Sequence, residues 1–142
     1  SLPKTDVLIA LHACDTATDD AIAKGIQAGA ELIVCAPCCH KQIRKQMEVT
    51  SILKSITQHG ILKERMAEMV TDTIRALILE SQGYQTKVFE FISTDHTGKN
   101  VMVIGQKSNS TSERKVEVLQ NIRELKSAFG IRFHYLERLV DV

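Results

Sequence analysis

Asp6 to His12 (DVLIALH) is a continuous apolar run without alternation, which predicts a strand buried on both faces of a parallel sheet. The polar stretch Asp15-Thr16-Ala17-Thr18-Asp19-Asp20 predicts a helix start. Asp15 or Thr18 caps it, and the further acids of the first turn complement the helix dipole. Ile22 and Ile26 then recur at helical spacing until Gly29 stops the helix. Leu32 to Ala36 predicts a second buried strand, ended by Pro37. Strand, helix and strand make a βαβ unit, whose parallel strands are joined by a right-handed crossover.

From His40 to Gln82 the periodicity is helical, broken near Thr50 and Ser51 and again at Gly60. Leu62, Met66, Met69, Val70, Ile74, Leu77 and Ile78 form one stripe, a core-packing pattern that gives the methionines no role in chemistry, and Gly83 is the expected stop. Thr86 to Ile92 and Asn100 to Ile104 predict two more strands around a loop containing His96, Thr97, Gly98 and Lys99. Lys107 to Ser112 is a polar linker. Val118 or Leu119, Ile122, Leu125 and Phe129 predict an amphipathic helix stopped by Gly130, and Tyr135, Leu136, Leu139 and Val140 give a short apolar end. There is no internal repeat.

At 142 residues, with 44% hydrophobic and 25% charged positions, the chain has the size of one ordinary domain. With no Trp and 4% aromatic residues, its core is built from aliphatic side chains and Met. Eighteen Lys and Arg against seventeen Asp and Glu leave +1, so no global field selects nucleic acid, membrane or acidic partners. The apolar runs fall short of the roughly 20 residues that span a bilayer, which points to a cytoplasmic protein without membrane association. Lys41, Arg44, Lys45, Lys54, Lys63 and Arg65 form a locally basic stretch, but Glu48, Glu64 and Glu68 interrupt it, and it reads as a solvated helical face rather than an RNA track.

Two strand ends carry the unusual residues: Leu11-His12-Ala13-Cys14-Asp15 and Cys35-Ala36-Pro37-Cys38-Cys39-His40. In open α/β sheets ligands bind beyond the carboxyl ends of the strands, so these residues converge there if the strands are parallel neighbours. The plainer alternative is that the histidines cap or hydrogen-bond and the cysteines are small buried hydrophobes. A zinc site has suitable donors in Cys35, Cys38, Cys39, His40, Cys14 and His12, but the single Cys-x-x-Cys matches no familiar closed site, so no metal ligand is assigned and a Cys/His zinc-binding domain stays an alternative reading. Cys-Ala-Pro-Cys after a strand suggests thiol redox chemistry of the thioredoxin type. Against it, Ile33 and Val34 stand where that family has an aromatic residue, and with Pro3 and Pro37 the only prolines there is no later cis-proline loop.

Asp6 to Asp19 (DVLIALHACDTATD) with Val34 to Ile43 (VCAPCCHKQI) resembles the second half of a Rossmann-fold S-adenosylmethionine-dependent methyltransferase, in a methyltransferase-domain family found in bacteria and eukaryotes. The related eukaryotic tRNA 2′-O-methyltransferases also have a His-x-Cys followed by Ala-Thr-Asp, and later a Cys-Cys-His. Glu90 to Asn100 (EFISTDHTGKN) resembles that family's hairpin between its last two strands, and the chain end with Tyr135 to Leu139 resembles its C-terminal extension. The resemblance implies a partial Rossmann-like α/β sheet of about four strands, three parallel and the last antiparallel, flanked by helices. That last strand would lie between the family's fifth and sixth. Residues 1–107 would be the C-terminal half of the methyltransferase domain and 108–142 a helical extension.

The implied cofactor is S-adenosylmethionine, with Leu11, His12 and Ala13 along one wall of its pocket. His12 and Asp15 are the implied catalytic residues, and Cys14, Cys38, Cys39, His40, His96, Lys99 and Asn100 the substrate side. The acceptor is not identified; the relatives named make RNA one candidate, and a non-catalytic protein- or RNA-interaction module is the reading from another class. The family holds its cofactor with a glycine-rich turn, whereas no two of the seven glycines here are separated by a single residue. The expectation is therefore an inactive fragment, with weak cofactor binding at most and an exposed strand edge at Asp6 to His12 that calls for a homodimer or a missing N-terminal half.

Overall fold

The structure, a computed structural model, describes residues 2–92 and 100–142. In chain order the elements are β1 (Val7–Leu11), α1 (Thr16–Gln27), β2 (Leu32–Ala36), α2 (Lys41–Gln46), α3 (Ser51–Thr57), α4 (Gly60–Ser81), β3 (Tyr84–Glu90), β4 (Val101–Lys107), α5 (Ser112–Phe129) and α6 (Tyr135–Val140). The four strands form one sheet in the order β1-β2-β4-β3. β1 and β2 pair in parallel from Val7 opposite Leu32 to Leu11 opposite Ala36. β4 is antiparallel to both β2 and β3.

Three expectations change here. Where three parallel strands were expected, only β1 and β2 form a parallel pair: β4 lies between β2 and β3 and is antiparallel to both, so β3 runs in the direction of β1 and β2 but has no parallel neighbour. β3 starts at Tyr84 rather than Thr86, since the buried Tyr84 hydroxyl donates to the Ala30 carbonyl at 2.7 Å and anchors the strand directly after Gly83. β4 runs on to Lys107, whose N–H donates to the Glu31 carbonyl at 2.8 Å. The third change concerns β1, which is not buried on both faces: Val7, Ile9 and Leu11 are 48%, 62% and 56% exposed.

Side chains alternate across a strand, so the register assigns every position to a face. Leu8, Ala10, Ile33, Cys35, Val103 and Gly105 share one face, and both α1 and α4 lie on it. A Cβ added to Gly25 of α1 would stand 3.0 Å from Ile33 and 3.4 Å from Leu8; one added to Gly105 would stand 3.3 Å from Leu79 of α4. Glycine at these two points lets helix and sheet approach closely. Ile22, Ile74, Ile78 and Leu79 complete this core and are fully buried. Of the expected α4 stripe, Met66, Val70, Ile74 and Ile78 are buried, but Leu62 and Met69 are exposed.

α5 packs on α4 through the buried Val118 and Ile122 and stops at Gly130, which is left-handed at φ 66°. The chain then returns to α2 and α1. Gln46 donates to the Phe133 carbonyl at 2.9 Å and accepts from the Arg132 and Phe133 N–H groups. Gln42 bonds the Phe133 carbonyl and the Tyr135 N–H, and the Tyr135 hydroxyl donates to Asp20 at 3.1 Å. These bonds tie the C-terminal segment to the helix that follows β2, and so brace one side of the strand-end turns. Among the described residues no helix is long and apolar enough to cross a membrane.

Candidate functional site

The two turns at the carboxyl ends of β1 and β2 lie side by side. Pairing continues one residue past β1, where the His12 N–H donates to the Ala36 carbonyl at 3.0 Å. The backbone then bends through two non-glycine residues at positive φ: His12 at 52° and Asp15 at 47°. Asp15 combines that φ with ψ −117°, outside the left-handed basin that Asp tolerates. Such conformations cost on the order of 1–3 kcal/mol each and persist where the surroundings impose them.

Those surroundings are polar and buried. Thr18 donates to the Ala13 carbonyl at 2.7 Å, and Arg75 donates through Nη2 to the Asp15 carbonyl at 3.1 Å. The Asp15 carboxylate accepts from the Gln42 N–H at 3.3 Å, so the expected cap of α1 instead bridges to α2. Arg75, fully buried, also bonds Asp19 through Nε at 2.7 Å and Asp72 through Nη1 at 3.0 Å. Although burial pulls its pKa down, the Asp19 and Asp72 carboxylates more than offset this and hold the guanidinium above its ordinary value. A charged guanidinium with two buried carboxylates thus holds the β1 turn from beneath.

Three of the sequence-predicted residues meet in one cluster. Cys14 Sγ is 3.5 Å from Cys38 Sγ, Cys38 Sγ is 3.7 Å from Cys39 Sγ, and Cys39 Sγ is 3.6 Å from Cys14 Sγ. Cys38 Sγ also lies 3.7 Å from the His12 carbonyl oxygen and 3.8 Å from that of Ala13. Burial, reinforced by the two neighbouring thiols, pushes the Cys38 thiol up to about 12. Cys35 is not part of the cluster: it points from β2 into the core, and burial pushes it up to about 12 as well.

His40 turns away from the thiols. It is 2% exposed and its Nε2 lies 3.3 Å from Asp72 Oδ2, while Nδ1 has no hydrogen-bond partner among the described residues. With Asn100, Arg65, Glu68 and Glu90 it lines a cavity of 210 Å³ beside the cluster. Leu11 and His12 are exposed at the rim, and Ala13 is half-buried between them and Cys14. His96 and Lys99 lie outside the described residues.

Arg75, Asp72 and Asp19 are the residues that sequence reasoning missed. A signal existed: Asp19 stands one turn before Ile22 and Ala23 on the apolar stripe of α1, and Asp72 and Arg75 interrupt the buried run from Val70 to Leu79. Charges at core-facing positions are rarely fully buried unless paired, so each of the three called for a partner.

The fold and these turns define a mixed α/β sheet whose unusual chemistry collects at the carboxyl ends of its parallel pair. A family model described as a methyltransferase domain matches residues 1–46, which span β1, α1, β2 and α2 and contain both turns. No curated protein and no solved structure matches the chain.

Proposed function

We propose that the chain is the substrate side of a Rossmann-class S-adenosylmethionine-dependent methyltransferase domain, with the cofactor half supplied by further sequence. The observation that carries this reading is the coincidence of the matched segment with two thiol-bearing turns, the first of them strained at His12 and Asp15, at the ends of a parallel pair. The residues fit one wall of a cofactor pocket and not a whole one. Leu11 offers exposed apolar surface and His12 and Ala13 follow it, but no glycine-rich turn accompanies them. The open sheet face bearing Val7, Ile9 and Leu11 supports the same reading, since a covering half-domain would bury it.

S-adenosylmethionine, when bound, supplies an electrophilic methyl group. The share of this chain is to align the acceptor with it and to exclude water, since in-line displacement depends on alignment. His12, exposed at the rim, is assigned to orient or deprotonate the acceptor atom. Asp15, whose carboxylate is fixed by the Gln42 N–H, orients a hydroxyl or amine beside it. Cys14, Cys38 and Cys39 shape one side of the acceptor site, and His40 and Asn100 line the adjoining cavity. The relatives that the sequence resembles make RNA one acceptor class to be assayed.

In a protein that includes the cofactor half, His12→Ala or Asp15→Ala lowers the single-turnover methylation rate by about 10²-fold or more, the usual range of general acid–base catalysis. Wild-type rates in both variants would remove the assigned roles. The encoded sequence upstream of Ser1 is expected to carry a strand followed by a Gly-x-Gly turn.

A further inference from the structure

The geometry points to a metal site: the sulfurs of Cys14, Cys38 and Cys39 form a three-thiolate seat for a thiophilic divalent cation of the zinc type. The three atoms come from two turns 24 residues apart in sequence and stand at mutual distances of 3.5, 3.6 and 3.7 Å. A tetrahedral ion with sulfur ligands at about 2.3 Å requires sulfur–sulfur edges of about 3.8 Å. The cluster is therefore within a few tenths of an ångström of the required triangle.

Packing alone gives a weaker account of the cluster. Cysteines that serve as small hydrophobes are buried, as Cys35 is, whereas Cys14 is exposed and Cys38 and Cys39 are half-buried. The backbone around Cys14 is also held in two costly conformations, at His12 and Asp15, by a buried ion network. Strain of that kind fixes the direction of a side chain, and here it aims Cys14 at Cys38 and Cys39. The His12 and Asp15 side chains lie outside the group of three.

Three protein ligands leave the fourth position open, as in catalytic rather than structural zinc sites, and the exposed rim lets water fill it. Each metal–sulfur bond replaces an S–H bond, and the displaced proton passes to the buffer. The cation also offsets the repulsion that three adjacent thiolates would otherwise meet. Such a site needs no methyl-transfer chemistry and is read out without S-adenosylmethionine.

The test is metal binding by the reduced 142-residue chain, with Zn(II) followed by native mass spectrometry and Co(II) by its thiolate charge-transfer and tetrahedral ligand-field bands. One ion per chain and a sulfur-rich tetrahedral Co(II) spectrum are expected. Loss of a second-shell partner alone weakens a metal site 10–100-fold, so Cys14→Ser, Cys38→Ser and Cys39→Ser should each lower affinity at least about tenfold. Cys35→Ala should leave it unchanged. Cys14 is exposed, so its variant reports binding without unfolding, and an unchanged circular dichroism melt checks this. Absence of bound metal, equal affinity in Cys14→Ser, or a Cys14–Cys38 disulfide in protein purified without air would overturn the site.

Discussion

On one face of the sheet Ile33, Cys35 and Val103 are fully buried under α1 and α4, whereas on the other Val7, Ile9 and Leu11 face solvent. The β1 and β2 positions of both faces are aliphatic or nearly so, and their intrinsic preference for burial is the same. What differs is the covering layer. The helices that follow β1 and β2 in the chain return to one side only, so apolar composition marks both faces for burial and the present elements supply cover for one. The buried ion network, Cys35 and His40 lie on the covered side, while the thiol cluster sits at the strand ends where the two faces meet.

The covered side should be sensitive and the open side indifferent. The largest effect is expected for Arg75→Met, which leaves Asp19 and Asp72 buried without their cation and should cost about 3–5 kcal/mol in denaturant unfolding. Adding Asp19→Asn and Asp72→Asn to that variant should recover part of the loss. A small loss in the single variant would mean that the network is not under strain from burial.

Ile33→Ala, beneath α1, should cost about 3 kcal/mol through lost transfer energy and the cavity left behind. A third effect depends on pH. His134 is fully buried at the start of α6, where its Nδ1 accepts from the Leu136 N–H; burial, assisted by Arg75, pushes its pKa down to about 3 from 6.5. The folded state thus keeps the ring neutral while the unfolded chain takes up a proton below pH 6.5. Stability from this group is complete above that pH and is lost as pH falls toward 3. At pH 5 the loss should be about 2 kcal/mol. His134→Asn retains a capping acceptor and should flatten this dependence; an unchanged slope would show that another group carries it.

The smallest effect is expected at Ile9→Ser on the open face, within about 0.5 kcal/mol in the 142-residue chain. The same substitution in a protein whose cofactor half covers β1 should approach the cost of Ile33→Ala. A large loss in the short chain would mean that the face is already covered there.

The βαβ unit and the helix breaks near Thr50 and just before Gly60 were legible because strand composition and helix-end residues act locally. The run from Val7 to Leu11 has the composition of a strand covered twice, and its exposure could not be read from those residues, because cover comes from elements elsewhere. The ends of β3 and β4 escaped the pattern for a related reason: the Tyr84 hydroxyl and the Lys107 N–H are anchored by Ala30 and Glu31, residues distant in sequence. At the site, the sequence brought Cys14, Cys38, Cys39 and His40 to one sheet edge. Which of them touch depends on side-chain direction, and the buried Asp72 draws His40 away from the thiols.

On the proposed reading this chain carries the substrate side of a methyltransferase domain and only one wall of its cofactor pocket. The most direct measurement is calorimetric titration of S-adenosylmethionine into the 142-residue chain and into the protein extended by the encoded sequence upstream of Ser1. Low-micromolar binding by the extended protein is expected, and none in that range by the short chain. Equal affinity in both, or no binding by the extended protein, would contradict that reading.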